Sequence, residues 1–154
     1  IPYDNILDGS IKRIAKVCDE VGQDVEVGIH LCYGDPGHKH IIEPKDLSTS
    51  VLFANEIFEA TNRTIEFIHM AVPVNRSDDN YFQPLENLNL INETRIILGL
   101  IHYSDGLKGS AKRLRVAKKF LNDFDVATEC GFGRRPPETI PELLQIHSDL
   151  CEVD

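Results

Sequence analysis

Four short apolar runs, each followed by a stretch of helical periodicity, restrict the folds open to this sequence more than any other feature. The clearest, Thr94 to His102, reads TRIILGLIH. It has almost no polar position, so both of its faces need cover. Arg63 to Val72 reads RTIEFIHMAV and stops at Pro73. Val25 to Cys32 and Asp125 to Glu129 are the other two strand candidates. Between them apolar residues return at helical spacing. Ile11, Ile14, Ala15, Val17, Cys18 and Val21 precede Gly22, and further helices are predicted over Leu47 to Thr61, Gly106 to Asn122 and Pro137 to Cys151. Asp46 or Ser48 can cap the second helix, and Pro137 and Glu138 suit the first turn of the last. Ile1 to Asp8 reads as an irregular lead-in. The long connection Val74 to Glu93 should hold a short helix near Tyr81 to Asn87. Strands apolar on both faces that alternate with helices predict a parallel sheet covered by helices.

Four such units leave two architectures: an open α/β sheet, or half of a (β/α)8 barrel, which takes about 250 residues. No glycine-rich phosphate fingerprint follows any strand. The 154 residues suffice for one domain, and a 42% hydrophobic content is that of a folded globular chain. A formal charge of -9 argues against a nucleic-acid backbone as partner. No apolar run is long enough to span a bilayer, so no membrane partner and a cytoplasmic location are expected. The chain opens on Ile1 rather than Met, so an upstream piece is expected. Cys18, Cys32, Cys130 and Cys151 do not suit a small disulfide scaffold. Cys18 and Cys151 fall within helices as structural residues; the other two do not.

Parallel α/β folds build their sites at the carboxyl ends of strands. Those ends carry His30, Cys32, Tyr33 and Asp35; then His69; then His102, Tyr103, Ser104 and Asp105; and last Glu129, Cys130, Arg134 and Arg135. His30 and Cys32, one residue apart, share a face of an extended strand. An imidazole beside a thiolate suits zinc better than magnesium or calcium. Cys130 and His69 are the candidates to complete a site. Zinc stabilises a thiolate whose parent thiol has a pKa of about 8.5, so a substrate thiol on the metal stays nucleophilic at neutral pH. A strand-end histidine such as His102, with an ordinary pKa of about 6.5, could supply a proton to a departing group.

The segments IHLCYGD, LGLIHYSDG and ECGFGRRPPET resemble the C-terminal half of the cobalamin-independent methionine synthase barrel. They resemble still more its shorter methionine-synthase-like and uroporphyrinogen-decarboxylase-like relatives. The resemblance covers nearly all of the chain from Val25 onward. It implies one domain over residues 1–154, formed by about the last four βα units of a TIM barrel. It implies a zinc-dependent methyltransferase with a small-molecule thiol and a methyl donor as partners. His30 and Cys32 match the family's His-x-Cys ligands, Cys130 matches the last ligand, and His102 matches the proton donor. Where the family has a Glu ligand, strand register puts His69; Glu66 has the opposite parity and should face the helices. The family's acceptor- and folate-binding residues of the first barrel half are absent, so folate use does not follow.

Each reading has a plainer counterpart. Cys130 fits a small buried residue before a tight Gly turn. His69 fits a hydrogen-bonded core histidine, and His102 a structural one bonded to Ser104 or Asp105. Asp35, Asp105 and Arg134 are the candidates for substrate binding. The two aspartates could instead orient a histidine. Arg134 and Arg135 are placed to meet an anion or to form surface salt bridges. His38 and His40 read as exposed loop residues, His147 as surface or packing. The basic run Lys108, Lys112, Arg113, Arg115, Lys118 and Lys119 reads as a solvated helix face. Two rival functions remain: a decarboxylase-like lyase on the same fold, and a non-catalytic fragment that folds with a missing N-terminal barrel half or as a homo-oligomer.

Overall fold

The computed structural model describes residues 3–34, 40–89 and 94–153. Helix α1 (Tyr3–Asp19) comes first and buries Ile11, Ala15 and Cys18. The lead-in is therefore helical from Tyr3, not irregular. Strand β1 (Gly28–Leu31) leads to α2 (Ser48–Ala60), where Asp46 Oδ1 accepts the Ser48 N–H at 2.9 Å. Next come β2 (Phe67–Ala71) and the short α3 (Asp79–Phe82), continued as a 3-10 turn over Gln83–Asn87. Asp78 caps α3 by accepting the Tyr81 N–H at 3.1 Å. Strand β3 (Arg95–Ile101), helix α4 (Gly106–Ala117), strand β4 (Asp125–Thr128) and helix α5 (Ile140–Cys151) complete the order. Among the described residues no helix is long and apolar enough to cross a membrane.

The four strands are parallel and lie in the order β1-β2-β3-β4. Strand crossovers are right-handed, so a sequential order keeps every helix on one face. A doubly wound sheet instead needs a point where the order reverses, and none occurs among the described strands. Burial follows the same logic. Ile68, Met70, Leu98 and Leu100 point into the helical layer and are wholly buried. The opposite face carries His30, Phe67, His69, Arg95 and Ile97, all partly or fully exposed. That face corresponds to the interior of a closed barrel.

Two arginines hold the layers together. Arg63 lies at the amino end of β2, where its guanidinium donates to the carbonyls of Val21, Gly22, Val25 and Thr64 at 2.6–3.2 Å. Arg113 does not belong to a solvated face: it is 1% exposed. Its position on α4, shared with Ser110, Leu114 and Ala117, points at the sheet, where it donates to the Leu100 and Val74 carbonyls, both at 2.8 Å. Helical phase, not charge, decided its place. Helix α4 also ends earlier than its periodicity predicts, because Lys119 and Phe120 turn back onto the Val116 and Ala117 carbonyls.

Candidate functional site

The face opposite the helices brings two of the predicted ligands together. Adjacent parallel strands in register place His30 directly beside His69. Their rings lie 4.7 Å apart and their Nδ1 atoms approach to 2.9 Å. Burial, and next the neighbouring His30, push the His69 pKa down to about 4, with the Thr128 backbone opposing in part. Loss of hydration lowers His30 as well. At neutral pH both rings are thus uncharged, and one Nδ1–H donates to the other Nδ1. The remaining nitrogen of His69, Nε2, is buried without a hydrogen-bond partner. It faces Gly99 of β3, where any Cβ would come within 3.2 Å.

A second cluster forms at the ends of β3 and β4. His102 is 7% exposed and its Nε2–H donates to the Val72 carbonyl at 2.8 Å. That bond fixes the tautomer and leaves Nδ1 facing Glu129 Oε2 at 3.6 Å. Burial, and next the Arg113 charge, hold the His102 pKa down to about 4. The near-neutral titration expected of a proton donor is not what this site provides. Glu129 turns its other oxygen to His40 Nε2, at 2.7 Å. His40 is 10% exposed by side chain and also sits 3.3 Å from Glu43. Burial alone would lower its pKa; the Glu129 and Glu43 carboxylates outweigh that and raise it. His40 is therefore not an exposed loop residue. It ties the segment after β1 to the end of β4, and Tyr33 packs edge-on against it.

The other predicted residues divide. Cys130 lines the cavity that holds His102 and Glu129. Cys32 lies at the far edge, beside Thr49, Ser50 and Phe53. Strands β1 and β4 are three ladder steps apart, about 14 Å along the sheet. No disulfide links the cysteines among the described residues. Asp105 accepts from Arg113 through both carboxylate oxygens, at 2.7 and 2.8 Å, and so neutralises a buried guanidinium. Asp35 and the Arg134 side chain lie outside the described residues. Glu66 faces away from the site, as strand parity requires, and accepts the Val27 N–H. Its counterpart at the site is Glu129. No local pattern marks Glu129 or His40 as partners, because 89 positions separate them.

The donor chemistry, two imidazoles and two thiols, suits zinc. The geometry gathers only the imidazoles. Their 2.9 Å separation falls short of the roughly 3.3 Å between ligands on a tetrahedral zinc with bonds of about 2.0 Å. Among the described residues no three of His, Cys, Asp and Glu lie close enough to share an ion.

No protein-family model matches the chain, and no curated protein matches it significantly. In fold it is similar to a B12-independent methionine synthase from a Shewanella species, whose structure was determined in complex with selenomethionine. The TM-score is 0.59 and the identity 20%, over 99% of this chain and 45% of that one. The chain thus spans less than half the length of that synthase. The likeness identifies the four-stranded sheet with its flanking helices as part of a TIM-type barrel.

Proposed function

We propose that this chain is the C-terminal half of a methionine synthase-like barrel in which a methyl group passes to a zinc-bound thiol. The observation that carries the reading is the in-register pair His30 and His69, next to last in β1 and central in β2 of a barrel-type sheet. His30 and His69 would hold the metal, with Cys32 and Cys130 brought in by closure of the sheet. Zinc bound there would keep a substrate thiol ionised and nucleophilic at neutral pH. His102 serves the departing group. Its Nε2–H is committed to Val72, so a proton it delivers must sit on Nδ1, the atom beside Glu129. With its pKa near 4, His102 cannot store that proton at neutral pH; it must receive it during turnover, and Glu129 with His40 forms the path along which it could arrive.

Metal analysis of the purified protein tests this directly. About one zinc per chain is expected, lost in His69→Ala, Cys32→Ser and Cys130→Ser. His102→Asn should retain the metal but turn over at least tenfold more slowly, the usual scale for a lost proton donor. Wild-type protein without zinc, or a Cys130→Ser variant with wild-type content, sinks the metal assignment. One observation favours a second reading, a decarboxylase-like lyase: the two thiols line different cavities, while Glu129 joins two histidines in an acid–base cluster. Turnover that survives exhaustive chelation would select it.

A further inference from the structure

We propose that the cavity between the ends of β3 and β4 is an oxyanion subsite, in which Arg135 binds the carboxylate or phosphoryl group of a small substrate. The inference rests on the cavity and not on methyl transfer. It adds a charge class to whichever substrate the site takes.

The two other arginines that reach the interior show what is unusual about Arg135. Arg63 gives its guanidinium to four backbone carbonyls. Arg113 gives its own to two carbonyls and a carboxylate. The Nε of Arg135 is equally shielded from water, yet it meets no acceptor. Among the described residues no ion pair reaches this guanidinium. A shielded N–H left unmatched costs about 1–3 kcal/mol. Such a group is explained when a ligand supplies the missing acceptor.

Its surroundings suit an anion. Arg135 lines a cavity with His102, Tyr103, Ser104, Glu129 and Cys130. Tyr103 and Ser104 are exposed at its rim and bring hydroxyl donors. Glu129 shares the lining, and its oxygens turn to His40 and His102. The backbone that carries this guanidinium is also held in place before any ligand arrives. The short 3-10 turn Phe132–Arg134 precedes it, and the Arg135 N–H closes that turn on the Phe132 carbonyl at 2.9 Å. Pro136 restricts the Arg135 backbone to its extended conformation. Phe132 packs edge-on against His147 of α5. A planar fork presented from a fixed turn matches two oxygens of a carboxylate or phosphate, which a lysine in the same place would not. An anion seated there would hold the rest of the molecule against His102 and Cys130.

Titration of the intact protein with succinate and, separately, with inorganic phosphate tests this, at an ionic strength kept constant with chloride. Binding is followed by calorimetry and by the 15N NMR signal of the Arg135 Nε–H. Saturable binding that shifts this signal is expected, and the tighter of the two probes identifies the anion class. Arg135→Gln should weaken binding about tenfold or more, the loss of one charge-assisted pair. Arg135→Lys should fall between, and it carries the test if the glutamine variant does not fold. No saturable binding of either probe, or equal binding by wild type and both variants, overturns the proposal. Protein that binds zinc but no oxyanion overturns it and spares the methyl-transfer reading; protein that binds an oxyanion but no zinc does the reverse.

Discussion

Asp105 and His102 show how a side chain's partners set its role. A strand-end aspartate in a barrel fold invites a substrate role, but Arg113 occupies both of its oxygens. Removing one partner leaves a buried charge uncompensated, which typically costs about 3–5 kcal/mol. Asp105 keeps 32% side-chain exposure, so Asp105→Asn should cost less, roughly 2–3 kcal/mol by urea unfolding. A wild-type unfolding midpoint together with a raised KM would return Asp105 to the substrate. His102 makes a different prediction. Its pKa is lowered from 6.5 to about 4, so the unfolded chain takes up the proton first as pH falls. The stability that follows is complete above about pH 6.5 and is lost as pH drops toward 4, at most about 3 kcal/mol. Urea midpoints measured from pH 4 to 7 should therefore slope less steeply in His102→Asn than in wild type. Equal slopes would remove His102 as a source of the acid sensitivity.

Strand alternation was readable from the sequence and placed the key side chains correctly. His69 shares a face with His30, while Glu66 turns away. The join between β3 and β4 was not readable. Register slips there, so that Leu98 pairs with Val126 but Ile101 with Thr128. The slip draws β4 inward over Gly99: a Cβ at this position would stand 2.8 Å from Glu129 Cα and 3.2 Å from His69 Nε2. Backbone cannot yield as a flexible side chain does. Gly99→Ala is expected to part the two strands, at a cost of about 1–3 kcal/mol. It should move the histidine ring signals of both His69 and His102 in NMR spectra. A variant with unchanged stability and unchanged ring signals would show that the close approach does not matter.

Among the described residues the molecule is a sheet covered by helices on one side. Its helices bury one face, and Phe67, His69 and Ile97 on the other keep contact with solvent. Among the described residues β1 and β4 pair on one side only. Unpaired parallel edges and an open barrel-type face are poorly suited to isolation. The 154-residue chain alone is expected to associate, with a second copy or with a complementary half barrel. Light scattering on the isolated chain should report at least double its 17.4 kDa. A stable, cooperatively unfolding monomer would count against this and would favour a sheet that is content to stay open.

The sequence by itself determined the alternation of strands and helices, the parallel sheet, and the place of Cys32, His102, Glu129 and Cys130 just past strand ends, though not that of His69, which is central in β2. These follow from backbone periodicity and hydrophobic pattern, which act over a few residues. The family resemblance pointed to a barrel-type sheet, but periodicity left a doubly wound one open, and the strand order that decides between them came only from the tertiary structure. So did the pairing of His30 with His69 across 39 positions, the tie from His40 to Glu129, and the parting of Cys32 from Cys130. Which donors meet depends on which strands lie side by side and how far each has slipped, and no local stretch of chain records that.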